Sequence, residues 1–128
     1  MASVDPGSWI GHAEDDFTAL TVLMDSGVSV PGSIAFHAHQ TAEKYLKAVI
    51  VASGVNPKYT HQLAELAKAT CFDKSSVATL APTIARLDSV YIQSRYPLSL
   101  PAGIHVEQLV ADASEVREFC RNLLQPYL

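Results

Sequence analysis

Between its prolines and glycines this chain carries apolar residues at intervals of three and four, and nowhere a convincing alternation of two. That spacing follows the α-helix, at about 3.6 residues per turn, and it argues against strands in every long segment. The first segment puts Trp9, Ala13, Phe17, Leu20 and Met24 on one stripe, with Ser8 as its expected cap and Ser26 and Gly27 as its end. The second is expected from about Ser33 to Ser53. Ile34, Ala38, Ala42, Tyr45, Val49 and Ala52 share one of its faces, Pro31 and Gly32 precede it, and Gly54 closes it. A short third segment starts near Tyr59 or Thr60 and holds Leu63, Leu66 and Ala67. The fourth carries Val77, Leu80, Ile84, Leu87 and Tyr91 around Pro82, which delays its start or kinks it. The fifth carries Val106, Leu109, Ala113, Val116, Cys120 and Leu123, after a loop at Pro97 to Gly103.

Each one-sided stripe needs a partner face to bury it. Short connections make sequential helices antiparallel neighbours. The expected fold is therefore all-α, an up-and-down bundle of four long helices plus one short helix, in a single domain over residues 1–128. Phe36, Leu46 and Val51 lie off the main face of the second helix. That helix belongs at the centre of the bundle or against a second subunit.

Composition narrows the function classes. The apolar fraction of 48% is enough for a core without disulfides or metal. Charged residues make up 17% and the net charge is -4, which argues against a general nucleic-acid coat while leaving room for a local basic patch. Cys71 and Cys120 are far apart and in no metal-ligand spacing, so they read as small core residues of a reduced, cytoplasmic protein. The opening MASVDPGSW has neither the basic nor the apolar part of a signal peptide, and the run AVIVA is too short to span a bilayer. No glycine-rich phosphate loop, zinc spacing or serine elbow is present, and no cofactor is expected.

Three stretches stand out together: FHAHQTAEKYLKAVIVASG, then THQL, then YIQSRYP. In type and order they resemble the HEPN domain, the higher-eukaryote and prokaryote nucleotide-binding family. The first helix, with Trp9, Ala13, Asp16 and Ala19, is similar to that family's opening pattern. The resemblance implies a helical bundle that forms a homodimer. It also implies pairing with a minimal nucleotidyltransferase, often as a toxin–antitoxin system, and contact with a nucleotide or RNA. Many members are metal-independent ribonucleases, with an arginine, a gap of four to six residues, and a histidine.

Here Arg95 and His105 are separated by nine residues, and Tyr96 replaces the polar residue usual after the arginine. RNA cleavage needs a base near the 2′-hydroxyl and a cation or acid near the phosphate and leaving oxygen. Arg95 and His105 can serve only if the loop folds back on itself. Otherwise Arg95 anchors the loop or binds an anion, and His105 is a surface residue at a helix start, where the helix dipole disfavours positive charge. The expected reading is a non-catalytic or weakly active nucleotide- or RNA-binding partner of a nucleotidyltransferase. The alternatives are a toxin ribonuclease with variant geometry and a purely structural dimerisation module.

The other candidates lie on helices. His37 and His39 are about 200° apart on a helix, so they do not share a metal ion. His37 and Lys44 share a face with Lys47 near its edge, which gives a weakly basic strip or a solvated face. Glu43 and Lys47 are spaced as a helix-supporting pair. Asp16 borders the first stripe and needs a partner, which His37, Lys44 or Arg95 would supply as a structural ion pair. Arg95 and Tyr96 would hold a phosphate and a base together. Thr60 is the expected cap of the third helix, with His61 bonding locally, and Tyr91 is a core tyrosine. The carboxylates of Glu14 to Asp16 and of Asp112 to Glu118 read as solvated faces.

Overall fold

The computed structural model describes residues 5–70, 73–91 and 100–128. Five α-helices run through them in order: α1 (Pro6–Ser26), α2 (Pro31–Ala52), α3 (Leu63–Ala69), α4 (Lys74–Ser89) and α5 (Val106–Leu123). A short 3-10 turn, Gln125–Tyr127, follows α5. No strand occurs among the described residues. This is the all-α bundle of four long helices and one short one that the periodicity demands.

Side-chain pairs set the directions. Trp9 meets Lys47, Glu14 meets Tyr45, and Asp16 meets His37 and Lys44, so α1 and α2 run antiparallel. Thr83 meets Glu115 and Arg86 meets Asp112, so α4 and α5 do the same. Helix α2 is at the centre and touches each of the other four helices. Fifteen of its 22 residues are buried, including Leu46 and Val51 off the main stripe. On α1, in contrast, only Ile10, Ala13, Asp16 and Leu20 are buried.

The helix ends show why each element starts and stops where it does. Helix α1 is capped by Asp5, whose carboxylate accepts from the Ser8 N–H at 3.0 Å, and Pro6 takes the first helical position. Ser8, the expected cap, lies inside the first turn and donates its hydroxyl to Asp5. The chain leaves α1 through Gly27 at φ 74, a conformation other residues adopt at a cost. Helix α2 starts at Pro31 rather than Ser33, because a proline at the first position gives up an N–H that has no acceptor in the helix. Helix α4 runs through Pro82, which faces solvent, so the carbonyl freed at Ala78 has access to water. The last core contact at the end of α5 is its C-cap Leu124, fully buried, while Leu123 is exposed. Cys120 is buried as expected, and Cys71 lies outside the described residues.

Candidate functional site

The residues of α2 that carry chemistry divide between two faces, as the helical period requires. One face meets α1. There His37 Nδ1 lies 2.8 Å from Asp16 Oδ1, and Lys44 donates to the other oxygen of the same carboxylate. Asp16 is buried and bridges to both His37 and Lys44 across the helices, while Asp15 beside it is exposed. Three candidates from the sequence, Asp16, His37 and Lys44, thus come together as an interhelical ion group. The ammonium of Lys44 on this strip is already matched by a carboxylate.

The other face of α2 carries His39, Glu43 and Lys47, and all three are buried. Lys47 Nζ donates to Glu43 Oε2 at 3.0 Å and sits 5.3 Å from the centroid of the Trp9 ring. The Glu43–Lys47 pair thus forms as its spacing suggested, and it does so in a buried setting. Gln40 donates to Glu43 Oε1 at 3.3 Å, and His61, from the turn before α3, places Nδ1 2.9 Å from the same oxygen. Burial alone would raise the pKa of Glu43, but the His61 and Lys47 contacts outweigh it and hold the carboxyl below its usual range. An ionised carboxylate only accepts, so His61 carries its proton on Nδ1 and leaves Nε2 at the free edge of the ring.

Tyr91 joins the two histidines. Its ring stacks on His61 at 5.1 Å between centroids and 19° between planes, and lies 4.6 Å from the buried His39. His39 Nε2 stands 3.4 Å from Asp88 Oδ1, buried and without a well-aligned hydrogen bond. Asp88 itself accepts from the backbone N–H groups of Leu63 and Ala64 at 2.9 and 3.1 Å. It therefore caps α3 from across the fold. Burial pushes Asp88 up, while His39 and the two N–H groups outweigh that and keep it below the ordinary aspartate range. Helix α3 consequently begins at Leu63. Thr60, the expected cap, holds only the turn before it, by accepting from the Gln62 N–H.

The remaining charged groups serve packing. Arg117 makes a two-point contact to Glu14, whose carboxylate also accepts from the Tyr45 hydroxyl. The Arg117 bonds hold Glu14 below its usual range, and burial together with Glu14 pushes Tyr45 up to about 12. Arg86 grips Asp112 through Nε and Nη2, both at 2.9 Å, with Gln108 as a third donor. Asp112 is buried and so departs from the solvated face expected of that stretch, while Glu115 and Glu118 are exposed as expected. His105 is exposed at the N-cap position of α5 and makes no capping bond. Arg95 and Tyr96 lie outside the described residues. Among the described residues no cluster of histidine, cysteine and carboxylate side chains has the arrangement of a metal site. None of the described helices is long and apolar enough to cross a membrane.

The family model of the HEPN domain matches residues 7–123. The chain belongs to the HEPN domain family. The match spans all five helices of the bundle, so the HEPN domain and the helical fold are one unit here. The crystal structure of an archaeal HEPN homologue superposes with a TM-score of 0.71 at 21% identity, over 94% of this chain and 98% of that one. No curated protein sequence matches this HEPN chain. At that identity the archaeal structure speaks to the fold and leaves the site to be read from the residues.

The Glu43 group was missed in the sequence because its members come from three elements. His61 is 18 residues from Glu43, and Tyr91 is 30 residues beyond His61. One signal was available. On a helix buried on both faces, a histidine, a glutamate and a lysine at successive i,i+4 positions cannot all face water.

Proposed function

We propose that this HEPN domain binds a nucleotide or RNA, with little or no catalysis of its own, as the homodimeric partner of a minimal nucleotidyltransferase in a cytoplasmic toxin–antitoxin-like pair. The observation that carries the binding part is His61. It is held on Glu43 and stacked on Tyr91, yet 56% of its side chain is exposed. Tyr91 lies four residues before Arg95, the cation best suited to a phosphate. The partner and the pairing rest on family membership. Exposed Val55 and Tyr59 support a surface that meets another subunit.

The test is calorimetric titration of purified protein with nucleoside mono-, di- and triphosphates and short RNA. Binding that weakens in Arg95→Ala supports the reading, and no heat from any of these at millimolar concentration rejects it. The same preparations, incubated with RNA in chelator beside His105→Ala, separate a binder from a ribonuclease. Cleavage lost in both variants would make the Arg95–His105 pair catalytic.

A further inference from the structure

His61 is fixed on two sides and open on a third. Its Nδ1 is taken by Glu43 at 2.9 Å, and one ring face lies on Tyr91, almost parallel to it. The side chain is nevertheless 56% exposed, so the exposed part is the other ring face and the Nε2 edge. Of the two supports of this ring, Glu43 is buried and Tyr91 is half-buried. Glu43 is held by Lys47 and Gln40, and Tyr91 packs against His39. An aromatic ring so immobilised has little side-chain freedom left to lose, and that lowers the cost of placing a flat ligand on it.

We propose that the outer face of His61 is a stacking subsite for a nucleobase, which adds a third ring to the Tyr91–His61 pair. The proposal rests on the nucleotide reading above and names the place where the base would sit. Every nucleobase has a π-face, so such a platform takes any of them, and its contribution comes from overlap rather than from reading base edges. The Nε2 edge, left free because Nδ1 is engaged, is available to a polar atom of the same nucleotide.

The experiment titrates wild type, His61→Ala and His61→Phe with AMP, a short oligoadenylate and ribose 5-phosphate. It uses calorimetry, with thermal melting to confirm that each variant is folded. The proton resonances of the His61 ring are followed alongside. AMP should bind wild type and move those resonances upfield through the ring current of the base. His61→Ala should weaken AMP at least about tenfold, while His61→Phe, which keeps a ring on Tyr91, stays within about threefold. Ribose 5-phosphate, which has no base, should not bind measurably. A tighter oligoadenylate would identify the ligand as an RNA strand, and equal affinities a free nucleotide, both with the base on His61. Wild-type AMP binding that His61→Ala leaves intact, or that ribose 5-phosphate reproduces, overturns the subsite and spares the nucleotide reading. Failure of both AMP and oligoadenylate to bind wild type overturns both.

Discussion

Asp88, at the end of α4, caps the start of α3 through the N–H groups of Leu63 and Ala64, 25 and 24 residues away. A helix of seven residues is too short to be stable alone, so its register is set from outside. Asp88→Ala should cost about 1 kcal/mol, the usual value of a lost N-terminal cap. Asp88→Asn, which keeps one acceptor, should cost less. Urea denaturation of the two variants beside wild type measures both. The same loss should loosen His61, which lies two residues before α3 begins at Leu63.

Arg86 and Asp112 join α4 to α5 with two parallel bonds, and only the arginine end reaches solvent. Arg86→Ala leaves a buried carboxylate with Gln108 as its remaining partner. A loss of about 3 kcal/mol is expected, at the lower end for a broken buried pair because the guanidinium is partly solvated. Arg86→Ala/Asp112→Leu should recover much of that loss, since the unpaired charge is gone. Denaturant midpoints of the two variants decide it.

Acid should unfold the protein through a small group of carboxylates. Glu14 and Glu43 both titrate below the ordinary glutamate value of 4.5, and Asp88 below the ordinary aspartate value of 3.8. A carboxyl with a lower pKa in the folded chain binds fewer protons there than in the unfolded chain. The stability it contributes is complete above the unfolded value and drains away as pH falls through the folded one. Stability should therefore be level near neutrality and decline below about pH 4.5. Glu43→Gln should be less stable than wild type at neutral pH and lose less on acidification. A urea series across pH would show a parallel decline instead if Glu43 were not among the groups responsible.

The cysteine on α5 should be chemically silent. Cys120 is fully buried, and burial pushes its thiol far above the ordinary range. Iodoacetamide should leave the peptide containing Cys120 unmodified in native protein and label it fully in denaturant, as read by mass spectrometry. Native labelling at that peptide would mean that α5 separates from α2 more readily than its packing suggests.

The bundle was legible in the sequence because helical period is a local property. The stripes through Ala13 and Leu20, Ala38 and Ala42, Leu80 and Leu87, and Leu109 and Val116 all face the core. The ends were read less well where two good caps compete, as Asp5 and Ser8 do three residues apart, or where the cap is distant, as Asp88 is for α3. Among the candidate residues, the partnership of Asp16 with His37 and Lys44 follows from residue types and burial. The Glu43–His61–Tyr91 group does not. It exists only once α3 and α4 have been folded back onto α2, and no spacing along the chain encodes that meeting.

The burial of α2 on both faces also sets the order in which the molecule comes apart. Amide protons between about 38 and 50, under α1, α3, α4 and α5, should exchange with deuterium only through global unfolding. Those of α3 have one distant cap and an outer side open to water, and should exchange through local opening. The His61 ring rides on that weaker edge while its anchor Glu43 belongs to the slowest-exchanging part. A ligand that gripped both would slow the α3 amides and, because it binds only the folded chain, those of α2 as well.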